Sequence, residues 1–319
     1  MIAVGRRRVR GTSAVLGLTL LVAGLTPGVA RAAGTVAEGS TAAALACSVN
    51  LGSLTGDQHI LREVRATKPV TVTETRSTTG VYPVGGRPAL QSYFTYEPGV
   101  ANDGYSAGLA VQQGVMYEIA YSTASTDGPA VPPRQRKRIG GGWDGFRLLE
   151  QVQWQSPNFT MPLRRSVYAV HDDGVLHRWT IDPAGVWRKA ESAPGFASLK
   201  SIAMISKNYS FDTFLANTRG GALYTIRIPT TAALKPVVTM VRSKTWQGFE
   251  SLVAQSCSLG EVVVAIDGDT ESAYLYAIGH ANGAKTPIEL RGQLPGGYAD
   301  PLWFRWGTAP ENEIFRGDN

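Results

Sequence analysis

The 319-residue chain is poor in several residue types and patterns that usually carry chemistry or anchor a protein. It has two cysteines and four histidines, and no histidine stands at a zinc-ligand spacing from another histidine or a cysteine. No Gly-x-Ser-x-Gly sequence occurs, and beyond residue 32 no apolar run approaches the roughly 20 residues of a membrane-spanning helix. These absences count against a zinc module, a hydrolase nucleophile elbow and a transmembrane segment, and no metal, cofactor or catalytic residue is predicted.

The N-terminus has the order of features found in an export signal. A cluster of four arginines within residues 6–10 precedes an apolar run at 14–25, and Ala30-Arg31-Ala32 offers an Ala-x-Ala cleavage site. A secretory signal peptide is therefore predicted at residues 1–32, and the small polar residues 33–44 are predicted to form a flexible stub. A single folded domain is expected over 45–319, in a secreted, extracellular protein.

The net charge is carried almost wholly by this leader. The formal charge is +6, and residues 1–32 hold five arginines and no acidic residue, so removing those five charges leaves +1. The mature chain therefore lacks the basic excess typical of nucleic-acid binding. The remaining basic run, Arg134-Gln135-Arg136-Lys137-Arg138, is interpreted as a solvated strand edge, with an anionic-surface contact as the alternative.

A phrase of the sequence recurs with a long period. Trp143-Asp144-Gly145-Phe146 returns as Trp246-Gln247-Gly248-Phe249, and a reduced copy, Pro194-Gly195-Phe196, lies between them. The phenylalanines are 50 and 53 residues apart, and a related Gly297-Tyr298 follows 49 residues later. A period near fifty residues is typical of one blade of a β-propeller.

A second phrase in each period predicts a β-hairpin. Alternating apolar and polar residues at 167–171 and 175–181 flank the turn Asp172-Asp173-Gly174, which is a hairpin signal. The copies are Gly114-Val115-Met116-Tyr117, Gly174-Val175-Leu176-His177, Gly221-Ala222-Leu223-Tyr224 and Ala273-Tyr274-Leu275-Tyr276. With a basic strand and the strand after the Gly-Phe phrase, each period holds four strands.

The predicted fold class is all-β, a β-propeller of five four-stranded blades, with six or seven smaller blades as alternatives. A two-sheet sandwich is disfavoured because that fold does not explain a sequence motif that repeats about every fifty residues. The segment Leu302-Trp303-Phe304-Arg305-Trp306 is predicted to be a strand that pairs into the first blade and closes the ring.

The two cysteines are predicted to form a disulfide bond. Cys47 and Cys257 are 210 residues apart, close to four periods, and units four apart are neighbours in a ring of five. The bond would therefore join the first blade to the last. Lipidation of Cys47 is the disfavoured alternative, because this residue lies 22 residues beyond the apolar run of the leader.

Two glycine-rich or acidic segments have a structural interpretation. The stretch Gly140-Gly141-Gly142-Trp143-Asp144-Gly145 fits the dinucleotide-binding pattern, but its copy at 244–248 keeps the turn without the glycines. The acidic run Asp267-Gly268-Asp269-Thr270-Glu271 lacks the glycine of a calcium loop and is predicted to be a polar hairpin turn. Neither segment indicates a cofactor.

The phrase Gly141-Gly142-Trp143-Asp144-Gly145-Phe146 followed by the hairpin at 167–179 resembles the repeat of the tachylectin-2 family, over roughly residues 108–306. The resemblance implies a five-bladed propeller lectin with N-acetylhexosamine sites between neighbouring blades and no catalysis. The third copy departs from the pattern, since Ala193-Pro194 stands where the tryptophan is expected.

The predicted function is a secreted, monomeric lectin for glycans that contain N-acetylated amino sugars, on cell surfaces or walls. Most tryptophans are expected in the core, while rings at blade junctions suit the apolar face of a sugar. The predicted ligand contacts are Trp143 and Trp246 as stacking or positioning rings, and Asp144, Asn217 and Gln247 as polar groups. Two other hypotheses stay open: a targeting subunit with a protein partner in a toxin or adhesion complex, and a glycosidase.

Overall fold

The computed structural model describes residues 47–82, 86–98, 104–123, 127–231, 233–258 and 260–318. The predicted signal peptide, the stub and the first residues of the predicted domain lie outside these ranges, and they stay predictions together with secretion. Within the described ranges, no helix has the length and apolar character that crossing a bilayer requires.

The regular structure of the described residues consists of twenty β-strands. The first ten are β1 (Ser48–Thr55), β2 (Gln58–Arg65), β3 (Thr71–Thr79), β4 (Leu90–Pro98), β5 (Gly104–Gln112), β6 (Val115–Thr123), β7 (Asp127–Gly141), β8 (Phe146–Trp154), β9 (Arg164–His171) and β10 (Leu176–Ile181). The others are β11 (Trp187–Ala193), β12 (Leu199–Lys207), β13 (Phe211–Thr218), β14 (Leu223–Pro229), β15 (Val237–Arg242), β16 (Ser251–Cys257), β17 (Gly260–Asp267), β18 (Ser272–Ile278), β19 (Ile288–Gln293) and β20 (Leu302–Gly307).

Three antiparallel sheets contain four strands each, and we call them unit 3 (β8 to β11), unit 4 (β12 to β15) and unit 5 (β16 to β19). The other eight strands form one closed barrel in the order β1-β2-β3-β7-β6-β5-β4-β20. The barrel consists of two antiparallel meanders, unit 1 (β20, β1, β2, β3) and unit 2 (β4 to β7). Short parallel pairings join them, with Ser77 opposite Asp127 at one edge and Trp306 opposite Phe94 at the other.

The units form a closed ring through their first strands. Strand β4 contacts β8, β8 contacts β12, β12 contacts β16, β16 contacts β20, and β20 returns to β4. One hydrophobic cluster lies between each pair of successive units, so the core is divided among the junctions as face-to-face packing of blades requires. The all-β propeller fold is confirmed. The number of five blades stays a prediction, because units 1 and 2 are merged in one barrel.

The hairpin predicted at the Asp-Gly turn is present in unit 3. Leu176 pairs with Val170, and the Gly174 N–H donates to the His171 carbonyl at 2.9 Å. Gly174 has a φ of 82°, a conformation that glycine adopts without the steric cost that a Cβ brings. The Asp173 carboxylate accepts the Val175 N–H at 2.9 Å and so holds the turn.

Closure by the C-terminal strand is confirmed. Strand β20 pairs antiparallel with β1, with Phe304 opposite Gly52. The glycine is needed at this position, because a Cβ on Gly52 would lie 2.4 Å from the Phe304 ring. Phe304 is buried between units 1 and 2, so the last strand of the chain also contributes to the core between these two units.

The core between units 1 and 2 contains a buried histidine that the sequence pattern did not indicate. His59 Nδ1 lies 2.8 Å from the Tyr121 hydroxyl, and its Nε2 lies 3.0 Å from Gln91 Nε2. Burial lowers the pKa of His59 from 6.5 to about 3, so the ring is neutral at physiological pH. The rings of Phe94 and Phe304 pack around it with centroid distances of 4.8 Å.

The predicted disulfide bond is confirmed. Cys47 precedes β1 and Cys257 ends β16, and their Cα atoms are 5.4 Å apart. The bond therefore links unit 1 to unit 5, where the two ends of the chain meet. A covalent link over 210 residues restricts the unfolded chain, which stabilises the folded state in the chain-entropy model.

The residues after β20 contact units 3, 4 and 5. The Glu311 carbonyl accepts the Gln155 N–H at 3.2 Å, and the Gly317 N–H donates to the Ile205 carbonyl at 3.0 Å. Phe315 is fully buried, and the Arg316 N–H donates to Glu261 Oε1 at 2.9 Å. Burial raises the pKa of Glu261 from 4.5 to about 8, although the backbone hydrogen bonds oppose this shift.

Replacing both cysteines with serine (Cys47→Ser with Cys257→Ser) should lower the free energy of unfolding by up to roughly 5 kcal/mol, because the loop between them is long. Guanidinium denaturation of the two proteins, with and without a thiol reductant, measures this difference. The reductant should destabilise the wild type and leave the double variant unchanged. Equal stability of the two proteins under oxidising conditions would contradict the expected role.

The variant Glu261→Gln should reduce the pH dependence of stability. The folded state holds a proton on Glu261 that the unfolded state loses, so this group makes stability fall as pH rises from 4.5 to about 8. The slope in that range should shrink by up to about 1.4 kcal/mol per pH unit. Denaturant unfolding across this range measures it, and Glu289→Gln, at an exposed position on β19, is the matched control. Parallel curves for Glu261→Gln and wild type would count against this assignment.

Candidate carbohydrate-binding clefts

Successive units are joined by a repeated main-chain hydrogen bond, which we call the latch. In each latch the N–H of a ring-bearing residue donates to the carbonyl of a hairpin residue in the preceding unit, and that hairpin residue has positive φ. The pairs are Trp143 with Gly114 (2.9 Å), Phe196 with Gly174 (2.8 Å), Trp246 with Gly221 (3.0 Å) and Tyr298 with Glu271 (3.0 Å). The latch places all four rings at equivalent positions.

The latch corrects the register that the sequence phrase suggested. Phe196 is equivalent to Trp143 and Trp246, whereas the sequence alignment matched it to Phe146 and Phe249. The residue at the tryptophan position is therefore Phe196, three residues after Ala193. The prediction that Ala193-Pro194 stands at this position is wrong. A main-chain hydrogen bond defines the latch position, whereas the aromatic residue at this position differs between units. The sequence motif alone therefore does not identify it.

The structure places the two predicted stacking tryptophans in the core. Trp143 is 6% exposed and its ring lies 4.7 Å from that of Trp179, while Trp246 is 5% exposed and lies 5.0 Å from Tyr276. Rings that are enclosed in this way do not offer a face to a sugar. Of the two roles predicted for these residues, only positioning of the loop is compatible with their burial.

Asp144 and Gln247 are exposed and occupy equivalent positions after the latch residue. Each side chain lies over a hairpin glycine of the preceding unit. A Cβ on Gly114 would lie 2.2 Å from Asp144 Oδ2, and a Cβ on Gly221 would lie 2.3 Å from Gln247 Oε1. Because the two side chains belong to different junctions, the structure does not bring them into one site.

Asn217 has a structural role, since its side chain is fully buried and its amide is saturated with hydrogen bonds. Its Oδ1 accepts from the Ser201 N–H at 3.0 Å and from the Ser201 hydroxyl at 2.6 Å. Its Nδ2 donates to the carbonyls of Trp246 at 2.8 Å and Phe249 at 2.7 Å. No donor or acceptor is left for a ligand, so we do not include Asn217 in a binding surface.

Arg147 makes the corresponding contacts at the preceding junction. Its guanidinium donates to the carbonyl of Leu199 at 2.6 Å and to that of Phe196 at 2.8 Å. Two unrelated side chains therefore satisfy the carbonyls of the same turn in successive units. This equivalence cannot be recognised in the sequence, because Arg147 and Asn217 are different residue types on different strands.

A cleft of about 230 Å³ separates units 2 and 3, and we call it the polar cleft. Besides small and apolar residues, its lining contains Glu118, Lys137, Gln151, Gln153, Arg165 and Trp187. The half-buried Trp187 supplies an aromatic wall, and the other five supply donors and acceptors. Sequence reasoning missed this set because its members come from five strands and share no repeated phrase.

The polar groups of the cleft are held in place but keep bonding capacity. Glu118 and Lys137 form an exposed ion pair at 3.5 Å, and Arg165 donates to the Asp182 carbonyl at 2.7 Å. Gln151 Oε1 accepts from the Ser92 hydroxyl at 3.2 Å, which leaves its NH₂ group available. The side-chain amide of Gln153 has no hydrogen-bond partner among the described residues. A ligand with several hydroxyl or amide groups can satisfy these positions.

A second polar cavity, of about 240 Å³, lies between the first strands of the units and contains Arg147, Glu150, Lys200 and Glu250. Burial raises the pKa of Glu150 from 4.5 to about 7. Glu250 is ion-paired with Lys200, and its other oxygen accepts the Gly268 N–H at 2.7 Å. Glu150 Oε1 accepts the Met204 N–H at 3.4 Å, so both carboxylates have partners within the fold. The sequence carries no signal for this convergence, because the four residues come from three units and meet only in the folded ring.

The two histidines that flank the unit 3 hairpin pack against one ring. Phe146 lies edge-on to His171 at 5.0 Å and to His177 at 5.4 Å. His171 Nδ1 is 3.1 Å from Asp173 Oδ1. Over the described ranges, no group of three or more His, Cys, Asp or Glu side chains is placed to hold a metal ion.

No family model and no curated protein matches the chain. Solved structures do match, among them the fucose-specific lectin from Aleuria aurantia, at 13% identity over 76% of this chain and 78% of that one, with a TM-score of 0.42. SapL1 lectin in complex with alpha methyl fucoside matches at 13% identity over 77% and 97%, TM-score 0.40. Exo-inulinase from Aspergillus awamori matches at 8% over 76% and 64%, TM-score 0.42. At these scores the fold assignment rests on the strand pairings, and membership of the tachylectin-2 family stays a prediction.

Asn217→Ala should lower the free energy of unfolding by about 2–4 kcal/mol, because it leaves several buried groups without partners. Gln247→Ala, at an exposed position one residue after the latch, should change it by no more than about 0.5 kcal/mol. Urea denaturation of both variants gives the comparison. Similar losses for the two variants would show that the Asn217 amide does not hold the turn.

Proposed function

We propose that the mature protein is a secreted, non-catalytic lectin that binds N-acetylhexosamine-containing glycans of cell surfaces or walls. The observation that supports this most directly is the polar cleft, where a tryptophan wall stands beside two amides, a guanidinium, an ammonium and a carboxylate. This combination suits a saccharide, which has an apolar C–H face and a rim of hydroxyls.

The groups of the cleft match separate parts of an N-acetylated sugar. The C–H face of the ring packs on Trp187, and the hydroxyls exchange hydrogen bonds with Gln153 and Arg165. The acetamide carbonyl accepts from the NH₂ group of Gln151 or the ammonium of Lys137. Because the Glu118–Lys137 pair is exposed to solvent, a single site is expected to bind in the millimolar to micromolar range, about −4 to −8 kcal/mol.

The repeat supports binding to polymeric glycans, but the junctions are not identical. Trp143 and Trp246 fill part of their junctions with buried rings, and the polar cleft lies at the junction that contains Trp143, between strands β4 to β7 of unit 2 and β8 to β11 of unit 3. We therefore base the proposal on this one cleft.

The first test is a glycan array with the secreted form of the protein, and binding should favour glycans with N-acetylhexosamine. Trp187→Ala should weaken binding by about tenfold or more, since it removes the stacking wall. Titration calorimetry with the preferred oligosaccharide measures the effect. Arg188→Ala is the matched control, because successive residues of a strand point to opposite faces.

A flat array at high valency would refute carbohydrate binding. A positive array with unchanged affinity for Trp187→Ala would place the sugar elsewhere on the molecule. Circular dichroism of both variants should match that of the wild type, which separates loss of binding from loss of fold.

A further inference from the structure

The junction residues form clusters of three aromatic rings in units 3 and 5. In unit 3, Trp143 lies 4.9 Å from Phe146 and 4.7 Å from Trp179. In unit 5, Trp246 lies 5.3 Å from Phe249 and 5.0 Å from Tyr276. The interplanar angles agree closely between the two clusters for the contact with the hairpin ring, at 34° and 41°. These contacts make the two clusters structurally equivalent.

Unit 4 carries two aliphatic side chains and one ring at the same three positions. Phe196 makes the latch bond, and the Leu199 N–H donates to its carbonyl at 3.2 Å, as the Phe146 N–H does to that of Trp143 at 3.4 Å. Ile226 follows Leu223 in β14 by three residues, as Trp179 follows Leu176 in β10. The main chain is therefore conserved, while the volume of the side chains is reduced.

A cavity of about 440 Å³ lies at this place in unit 4. Its lining includes Phe196, Leu199, Tyr224, Ile226, Pro236 and Val238. It is larger than the polar cleft and mostly apolar. The contrast with units 3 and 5 gives a physical reason for the cavity, because smaller side chains replace the rings that occupy this space there.

The outer strand of unit 4 also leaves apolar side chains in solvent beside the cavity. Val238 is 50% exposed and Met240 is 47% exposed. Strand β15 has no charged residue before Arg242, whereas the equivalent β11 contains Arg188, Lys189 and Glu191. Native edge strands usually carry charges, so an uncharged edge next to an open apolar cavity favours a ligand that covers it.

Two hydroxyl groups border the cavity with unused hydrogen-bonding capacity. In the described part of the chain, neither the Tyr224 hydroxyl nor the Ser198 hydroxyl has a hydrogen-bond partner. Both residues belong to the lining. A ligand with one polar substituent can therefore be oriented without a charged contact.

We propose that this cavity binds a small, flat aromatic molecule of one or two rings that carries one hydrogen-bonding group. The ring takes the place that Phe146 and Trp179 occupy in unit 3, because Leu199 and Ile226 stand at those positions in unit 4, and it packs against Phe196. The polar group bonds to the Tyr224 hydroxyl. The site is separate from the polar cleft, and it requires no carbohydrate.

Indole is the probe that Trp179, the unit 3 counterpart of Ile226, indicates, and 5-fluoroindole allows binding to be followed by ¹⁹F NMR. We expect saturable binding of one equivalent with a dissociation constant of roughly 10⁻⁵ to 10⁻³ M, as is typical of small ligands with few polar contacts. Cyclohexanol, which has a hydroxyl but no aromatic ring, should compete about tenfold less well than phenol. Non-saturable binding, or equal competition by the two, would overturn the proposal.

Phe196→Trp introduces the larger indole that units 3 and 5 carry at the latch position and should reduce the volume of the cavity. It should weaken indole binding by about tenfold or more without lowering the melting temperature. Tyr224→Phe is the second variant, and loss of its hydroxyl should weaken binding by about threefold to tenfold. Leu290→Ala, which truncates an exposed apolar residue of unit 5, is the matched control and should bind indole like the wild type.

Trp187→Ala distinguishes this site from the proposed glycan site. Indole affinity should be unchanged in that variant, and glycan affinity should be unchanged in Phe196→Trp. Unaltered indole binding by both Phe196→Trp and Tyr224→Phe would show that the cavity is not the site.

Discussion

The structure depends on the latch, a main-chain hydrogen bond between the N–H of a ring residue and a hairpin carbonyl of the preceding unit. A main-chain bond fixes the distance between two units whatever side chains they carry. Each hairpin partner has positive φ, and at Gly114 and Gly221 the side chain after the latch residue also lies over the glycine. A side chain at these two positions would meet strain and a clash together. The hairpin turn and the junction between units are therefore one structural requirement.

The latch occurs at four junctions, and the fifth is made differently. Units 1 and 2 are joined by strand pairing at both edges of their barrel, with Phe304 and His59 in the core between them. At the junction of units 5 and 1, the Cys47–Cys257 bond adds to the latch. The pairing of β20 with β1 and the Cys47–Cys257 bond both join residues far apart in sequence, and closing so long a loop has an entropic cost that these contacts offset.

The sequence predicts the fold correctly where turn residues and the repeat period determine the geometry. The hairpin turn at Gly174, the pairing of the last strand with the first unit and the partnership of Cys47 with Cys257 were all predicted from turn chemistry and period. It does not predict a position whose main-chain geometry is the same in each unit while the residue differs. Phe196, for example, makes the latch bond but has no indole ring. The polar cleft could not be predicted from the sequence, because Glu118, Gln153 and Trp187 come together only after two units have folded and packed.

The latch does not depend on the side chains beside it, and this independence explains how the junctions can differ in chemistry. Because the latch uses backbone atoms, the rings beside it can be exchanged without loss of the junction, and unit 4 shows this with Leu199 and Ile226 in place of rings. A change of side chains alters only the space between two sheets, and the hydrogen bonds that set their distance remain. Divergence can then proceed one junction at a time, because an opened cavity costs the packing of one cluster and leaves the other clusters intact.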